Sequence, residues 1–378
     1  MNILFLDQSG KLGGAELSLL DVAAHHRDRA LVGLFQDGLF RTQLQARQVP
    51  VQVLTREILQ VRKDSNLLQA LQSIGQVIPL INHVTHLSRD YDVIYTNTPK
   101  AFIVGALASY RSGCPLVYHL RDIISADHFS RLNRTLLITL ANARCRLVIA
   151  NSNATRQAFV QAGGRPEIVQ VAYNGFNPEV YQASEADCQQ IRRRLDVGDR
   201  FVVGHFSRLS PWKGQHILIE ALSHCPENVV ALLVGDALFG EDDYVAQLHQ
   251  QVQALNLQQR VHFLGFRTDI PALMHACDLI AHTSTAPEPF GRVIIEGMLC
   301  QRPVVAAAAG GAVELIDHGH TGWLTPPGEA HKLAGVITNA CQHPERSRAI
   351  ALAAQQHAQT HFNLAATNGQ ISALLHQI

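Results

Sequence analysis

The feature that most constrains this chain is a rhythm of short apolar runs separated by longer helical patterns. The runs are ILFLD (3–7), ALVGLF (30–35), VPVQVL (49–54), DVIYTN (92–97), PLVYHL (115–120), LVIANS (147–152) and VQVAYN (169–174). Runs this short and this apolar, with helices between them, read as strands buried on both faces of a parallel sheet. The rhythm stops over 176–200, FNPEVYQASEADCQQIRRRLDVGDR, which is polar and poor in branched apolar residues until its end. It restarts with FVVGHFS (201–207), VVALLVGD (229–236), RVHFLGF (260–266), DLIAHTS (278–284) and PVVAAAAGG (303–311). At 378 residues the chain exceeds the usual size of one core. The expected fold class is therefore α/β, with two Rossmann-like parallel-sheet domains facing a central cleft. The expected boundaries are 1–175, a linker at 176–200, a second domain at 201–360 and a C-terminal helix at 361–378.

Composition narrows the partners. Hydrophobic residues make up 47% and charged residues 16%, which excludes a disordered chain. Formal net charge is zero, so nucleic-acid binding driven by overall charge is not expected. The charge is nonetheless uneven: residues 1–180 are basic on balance and 181–378 acidic. That asymmetry suits two facing domains or an anionic partner for the first half, and it also fits chance variation. Seven cysteines, an odd number without a C-x-x-C pair, argue for a reducing compartment and against a zinc site or a disulfide framework. MNILFLDQSG lacks a basic leader and enters a strand at once, and no apolar stretch reaches membrane-spanning length. A cytoplasmic protein, with membrane contact at most peripheral, is expected.

The candidate motifs fall at strand ends, where ligands of open α/β sheets bind. DQSGKLGGAE (7–16) is a glycine-rich turn in which Gly10, Gly13 and Gly14 permit close approach of a ligand, or only a tight turn. It is neither G-x-G-x-x-G nor a Walker A loop, and Asp37 is a weak ribose ligand for a dinucleotide site. PLVYHLRD places His119 at a strand end, followed by Arg121 and Asp122; a structural histidine is the competing reading. In HFSRLSPWKGQ (205–215), Arg208 and Lys213 put two cations at one sheet edge, which suits a pyrophosphate. Lys213 in a solvated loop is the alternative. In STAPEPFGRVIIEG (284–297), Glu288 precedes a proline and a helix is expected to begin near Phe290 and Gly291. Glu288 then lies just outside the helix start and Glu296 inside it, with an anion-binding N-terminus between them. Two carboxylates placed so can accept paired hydroxyls at the two ends of one ligand. The competing reading is an acidic residue on the helix dipole plus an exposed helical Glu. Gly310 and Gly311 end a further strand, as a close approach or a turn.

The order R-L-S-P-W-K-G-Q, E-P-F-G-R-V-x-x-E, G-G-x-x-E-L-I and T-G-W-L-x-P-P-G resembles the retaining family 4 glycosyltransferases (glycosyl transferases group 1) of the GT-B fold. The match is dense over 201–328 and sparser earlier, at G-G-A-E (13–16), H-L-R-D (119–122), A-N-S-N-A-T (150–155) and Y-N-G-F (173–176). Position 297 is Gly where alanine is common. The resemblance implies a nucleotide-diphosphate sugar donor, UDP or GDP, held mainly by the second domain. Arg208 and Lys213 would bind the diphosphate, aided by the backbone N–H groups of Phe290, Gly291, Arg292 and Val293. Glu288 would contact the sugar and Glu296 the ribose. Backbone near Gly265 and Phe266 would flank the base. Gly13 and Gly14 would approach the phosphates, and His119 would lie near the reacting sugar. The last helix would cross back to the first domain. His119, Arg208, Lys213 and Glu288 form the implied catalytic set, with no cofactor and no metal.

The expected activity is retaining transfer of a hexose to a hydroxyl of a glycan, lipid or small molecule. An epimerase or hydrolase on the same fold, a nicotinamide oxidoreductase and a non-catalytic sugar-nucleotide-binding protein are the competing classes. The segment 55–90, with Arg56, Arg62 and Lys63 at its start and apolar residues at helical spacing, is a candidate for contact with an anionic membrane presenting a lipid-linked acceptor. An ordinary core-facing helix fits it equally.

Overall fold

The computed structural model describes residues 1–55, 67–126, 128–237 and 240–378, and for 67–76 only the helix they belong to. The chain divides into two compact units, Met1–Gly175 with Leu364–Ile378, and Phe176–Asn363.

The first unit is built on β1 (Ile3–Asp7), β2 (Ala30–Leu34), β3 (Val51–Val53), β4 (Val93–Thr96), β5 (Leu116–Leu120), β6 (Cys145–Ala150) and β7 (Val169–Val171). All pair in parallel, in the order β3-β2-β1-β4-β5-β6-β7, so the order reverses between β1 and β4. Successive side chains point to opposite faces, and the two cores divide accordingly. Leu4, Leu6, Leu116, Tyr118 and Leu120 pack on one face with Phe102 and Leu137 of the helices Pro99–Ser112 and Arg131–Arg144. Ile3, Phe5, Tyr95 and Val117 pack on the other with Leu19 of the helix Gly14–His25 and with Ile371 and Leu375 of the C-terminal helix Leu364–Leu375. His119 shares the parity of Val117 and so belongs to this second face. Helix ends follow local chemistry: Pro99 opens its helix, Gly113 at φ 77° closes it, and Ser130 and Ser152 cap their helices by accepting from Asn133 and Thr155 N–H.

The second unit contains β8 (Phe201–Phe206), β9 (Val229–Val234), β10 (Val261–Gly265), β11 (Leu279–His282), β12 (Val304–Ala307) and β13 (Trp323–Thr325), parallel throughout and ordered β10-β9-β8-β11-β12-β13. Its order reverses between β8 and β11. Strand β13 has no counterpart among the expected strands, because three residues between Gly322 and Pro326 are too few to show a period.

Residues 176–200, expected as a linker, are folded into the second unit. Ser184 caps the helix Glu185–Arg194, Cys188 is buried, and Arg192 donates to Ala276 O at 2.8 Å and Asp278 Oδ2 at 3.2 Å. The stretch reads as a linker because polar anchoring replaces a broad apolar face. The last helix lies in the first unit from Leu364 onward, while 361–363 stay with the second. The helix Leu67–Leu87 occupies part of the segment 55–90; Arg56, Arg62 and Lys63 lie outside the described residues. Among the described residues, no helix is long and apolar enough to cross a membrane, no group of three or more His, Cys, Asp or Glu is placed to hold a metal ion, and all seven cysteines are free.

Candidate active site

Where strand order reverses, the loops leaving two adjacent strands part and open a crevice at the carboxyl end of the sheet. In the second unit those loops follow β8 and β11, and they carry Lys213 and Glu288. Lys213 Nζ lies 2.7 Å from Glu288 Oε2 and 3.9 Å from the centroid of the Trp212 ring. His282 Nε2, 3.2 Å away, and Ser284 Oγ, at 3.0 Å, converge on the same carboxylate oxygen. Glu288 is buried; burial alone would raise its pKa, but the Lys213 charge and the His282 contact hold it far below the usual carboxylate range. The loop bearing Lys213 is fixed by Gly214, whose φ is 73° and whose added Cβ would lie 2.0 Å from Thr283 O. His205 braces it from within β8, with Nε2 2.9 Å from Thr283 Oγ1 and 3.2 Å from Lys213 O. Burial, then the His282 charge, lowers His205 to about 3, so this ring is neutral at pH 7.

Arg208 leaves the same strand but pairs elsewhere: its Nε is 3.3 Å from Glu241 Oε2, while Ser210 Oγ donates to Glu241 Oε1 at 2.6 Å. Glu296 sits in the helix Arg292–Leu299, half-buried. It accepts from Arg292 Nε at 3.2 Å and from Tyr181 OH at 3.4 Å, so it is not the exposed helical residue of the competing reading. Gly291, at φ 93°, stands before this helix without a capping side chain. The Phe290 ring is buried against Phe176 at 6.3 Å, and Arg292 lies 4.5 Å above that Phe176 ring. The Phe290 side chain is thus committed to packing, and Gly291 and Val293 flank the first residue of the helix. Gly311 N–H donates to Glu288 O at 2.6 Å, tying the turn after β12 to the Glu288 loop. Gly265 ends β10 at φ 62°, and the Phe266 side chain next to it is 58% exposed.

The first unit holds a separate buried polar network at the carboxyl ends of β1, β4 and β5. Asn97 Nδ2 donates to Asp7 Oδ2 at 2.7 Å and to Ala15 O at 3.1 Å. Arg121 donates through Nε to Asn97 Oδ1, through Nη1 to Asn174 Oδ1 at 2.7 Å and through Nη2 to His119 Nδ1 at 3.2 Å. Tyr95 OH also bonds to that Nδ1. Burial, helped by the Arg121 charge, lowers His119 well below the ordinary imidazole range. Gly13 precedes the helix that Gly14 begins, and a Cβ on Gly13 would lie 2.8 Å from Glu16 Oε2. Burial and then the Asp7 charge push Glu16 up to about 7; burial pushes Asp7 up to about 6, against the Asn97 hydrogen bond.

Of the residues singled out in sequence, Lys213 and Glu288 are brought into contact. Arg208 and Glu296 share their unit but are paired with other groups. His119, Gly13 and Gly14 stand in the first unit. Asp37 is exposed, with Arg41 Nη1 2.8 Å from its Oδ2. Sequence reading missed Glu241, His282 and Ser284, and Asp7, Tyr95 and Asn97. Asp7, Asn97 and Ser284 each close a strand-like run, and His282 closes the strand within its run, which was the available signal. Glu241 carried none, since it precedes an ordinary helix, Asp242–Ala254.

The family model for glycosyl transferases group 1 matches residues 187–357, and that for Glycosyltransferase Family 4 matches residues 12–180. Among solved structures, the Anabaena protein HepE in complex with UDP-glucose is 54% identical, covers 100% of both chains and superposes with a TM-score of 0.94. The same protein has been crystallised with UDP and glucose. Sucrose-phosphate synthase from Thermosynechococcus elongatus, 20% identical with a TM-score of 0.83 over 100% of this chain and 98% of the other, shares the fold. A D-inositol 3-phosphate glycosyltransferase of Mycobacterium tuberculosis is 28% identical over 286 residues, 71% of this chain. The matched stretch spans 58% of that relative's length.

Proposed function

The chain belongs to the family 4 glycosyltransferases, and on that premise we propose that it transfers a hexose from a UDP-sugar, UDP-glucose first among them, to a hydroxyl of a glycan, lipid or small-molecule acceptor, with retention and without a metal. The observation that carries this reading is the Lys213–Glu288 pair at the β8/β11 reversal, joined by His282 and Ser284. An ammonium and a carboxylate held 2.7 Å apart at a sheet edge offer a cation to a diphosphate and acceptors to the hydroxyls of the sugar it carries. The choice of UDP-glucose is supported by HepE, which binds it and is 54% identical over its whole length.

In this reading Lys213 and Arg208 neutralise the diphosphate, assisted by backbone N–H groups from Phe290 to Val293. Glu288 orients the hexose, Glu296 holds the ribose, and backbone at Gly265 and Phe266 flanks the uracil. Gly13 and Gly14 leave room for the phosphates, and His119 stands near the sugar. The bond from the anomeric carbon to the phosphate oxygen breaks as the acceptor oxygen bonds to the same face. The acceptor proton passes to the departing phosphate. The protein contributes positioning and charge stabilisation. Two side-chain cations on the diphosphate take the place a divalent metal occupies in other schemes.

The test is incubation with UDP-glucose, EDTA and a panel of lipid and glycan acceptors, with the new linkage read by NMR. An α-linked product from the α-linked donor supports the proposal. Sugar released without an acceptor indicates a hydrolase, and a C-epimer of the donor an epimerase. Absence of any thermal shift with UDP-glucose rejects the donor site.

A membrane-facing role for the first unit is favoured by one further observation. Leu107 and Tyr110 of Pro99–Ser112 and Leu132 and Leu136 of Arg131–Arg144 are exposed, at 38%, 74%, 78% and 42%. Neither helix contains an acidic residue, while Lys100, Arg111, Arg131 and Arg134 add positive charge. Apolar tips among cations suit an anionic lipid surface presenting a lipid-linked acceptor. Co-sedimentation with anionic liposomes at low salt, lost in Leu132→Ser with Tyr110→Ser, tests it; equal binding by the double variant rejects this surface.

A further inference from the structure

A cavity in the first unit lies between the end of β5, the helix Gly14–His25 and the helix Leu364–Leu375, and its lining includes His119, Arg121, Asn174 and Asn368. His119 and Asn368 are 2% and 4% exposed. Each has one buried side-chain atom without a hydrogen-bond partner among the described residues: Nε2 of His119 and Oδ1 of Asn368. Leaving such atoms unpaired is costly, so what satisfies them is a chemical question with a definite answer.

The hydrogen on His119 can be located from its other nitrogen. Arg121 Nη2 is 3.2 Å from Nδ1, and a guanidinium only donates. Nδ1 is therefore the acceptor. Tyr95 OH agrees: Nδ1 is the partner the structure gives this buried phenol, and a phenol has one hydrogen to donate. Burial and the Arg121 charge keep the ring neutral. A neutral imidazole with an accepting Nδ1 carries its hydrogen on Nε2. On the other wall, Asn368 Nδ2 donates to Asp21 O at 3.5 Å, which leaves Oδ1 as an acceptor. The two orphaned atoms of its lining thus supply one donor and one acceptor, the complement of a hydroxyl group.

We propose that Tyr95 and Arg121 lock His119 as the neutral Nε2–H tautomer, and that His119 Nε2–H and Asn368 Oδ1 together bind one hydroxyl oxygen, of water or of a ligand. His119 then acts as a hydrogen-bond donor and not as a general base, with Tyr95 and Arg121 as its positioning residues. Only the ligand as a source of the hydroxyl rests on the transferase reading; the tautomer stands without it.

The test is long-range proton–nitrogen correlation NMR on the uniformly 15N-labelled full chain from pH 5.5 to 8.5, with His119 assigned by the signal lost in His119→Gln. The expected pattern is a protonated Nε2 and an unprotonated Nδ1 at every pH, with Tyr95→Phe giving mixed tautomers. A protonated Nδ1, or a ring that titrates in this range, overturns the lock. A shift of the Nε2–H signal with UDP-glucose but not with UDP identifies a ligand hydroxyl. A persistent exchange contact to water with both identifies water. If neither effect is seen, the hydroxyl site is overturned. In turnover, His119→Gln keeps a donor and falls about tenfold, whereas His119→Glu supplies a base and falls about a hundredfold or more. The reverse order overturns the donor role. If UDP-glucose is not turned over at all, the transferase reading fails while the spectra still decide the tautomer.

Discussion

At the scale of residues, the candidate site is governed by charges taken partly out of water. Lys213 and Glu288 hold each other in place, and removing one leaves the other's charge with poor solvation. Glu288→Ala is expected to cost about 3 kcal/mol, and Lys213→Ala with Glu288→Ala less than the sum of the single changes. Urea denaturation of the three variants measures the coupling; strict additivity would show that the pair contributes nothing. The carboxyls of Glu16 and Asp7 behave oppositely, since both are pushed up, to about 7 and about 6. In the unfolded chain they ionise near pH 4. Between those values the folded state holds the extra protons, so stability falls as pH rises from about 4 to about 7. Glu16→Gln removes one such group and is expected to shrink the stability difference between pH 5 and pH 8 by about 2 kcal/mol. An unchanged difference would locate the pH dependence elsewhere.

At the scale of elements, turns decide where chemistry lands. Gly214 follows the 3₁₀ turn Pro211–Lys213 and opens the helix Gln215–Leu222 at a φ of 73°, with Thr283 O where a Cβ would go. Gly214→Ala must move the Lys213 loop or the loop after β11, at a cost of about 1–3 kcal/mol. Weaker UDP-glucose binding, read by calorimetry, should accompany it. Normal affinity with lowered stability would mean that the loop adapts without moving Lys213. The same scale shows what a linear reading recovers. Twelve strand-like runs were legible because buried parallel strands are continuously apolar, and each has a strand in the structure. The thirteenth strand and the helix Glu185–Arg194 were not, because three residues show no period and a helix anchored by Arg192 needs no apolar stripe.

At the scale of the whole molecule, residues distant in sequence complete one core. Ile371 and Leu375 are 1% exposed and pack with Phe5, Tyr95 and Val117, and Gln370 Nε2 donates to Val171 O at 2.9 Å. Ile371→Ala is expected to destabilise the first unit by about 2–5 kcal/mol and to leave the second unit's transition in place. Calorimetry or limited proteolysis resolves the two; equal loss in both units would mean that they unfold as one.

The sequence by itself determined the two-sheet architecture, since apolar runs of strand length at helical separation admit few folds. It also marked Lys213 and Glu288, whose loops leave neighbouring strand ends, and the motif order that carries the family. Which groups pair with them was decided only by tertiary structure. Lys213 for Glu288, Glu241 for Arg208 and Tyr95 for His119 meet only after strand order is set, whereas His282 and Ser284 reach Glu288, and Arg121 reaches His119, within one strand-end segment. Strand order arises from packing between segments far apart in the chain. No local pattern in a linear chain records that choice.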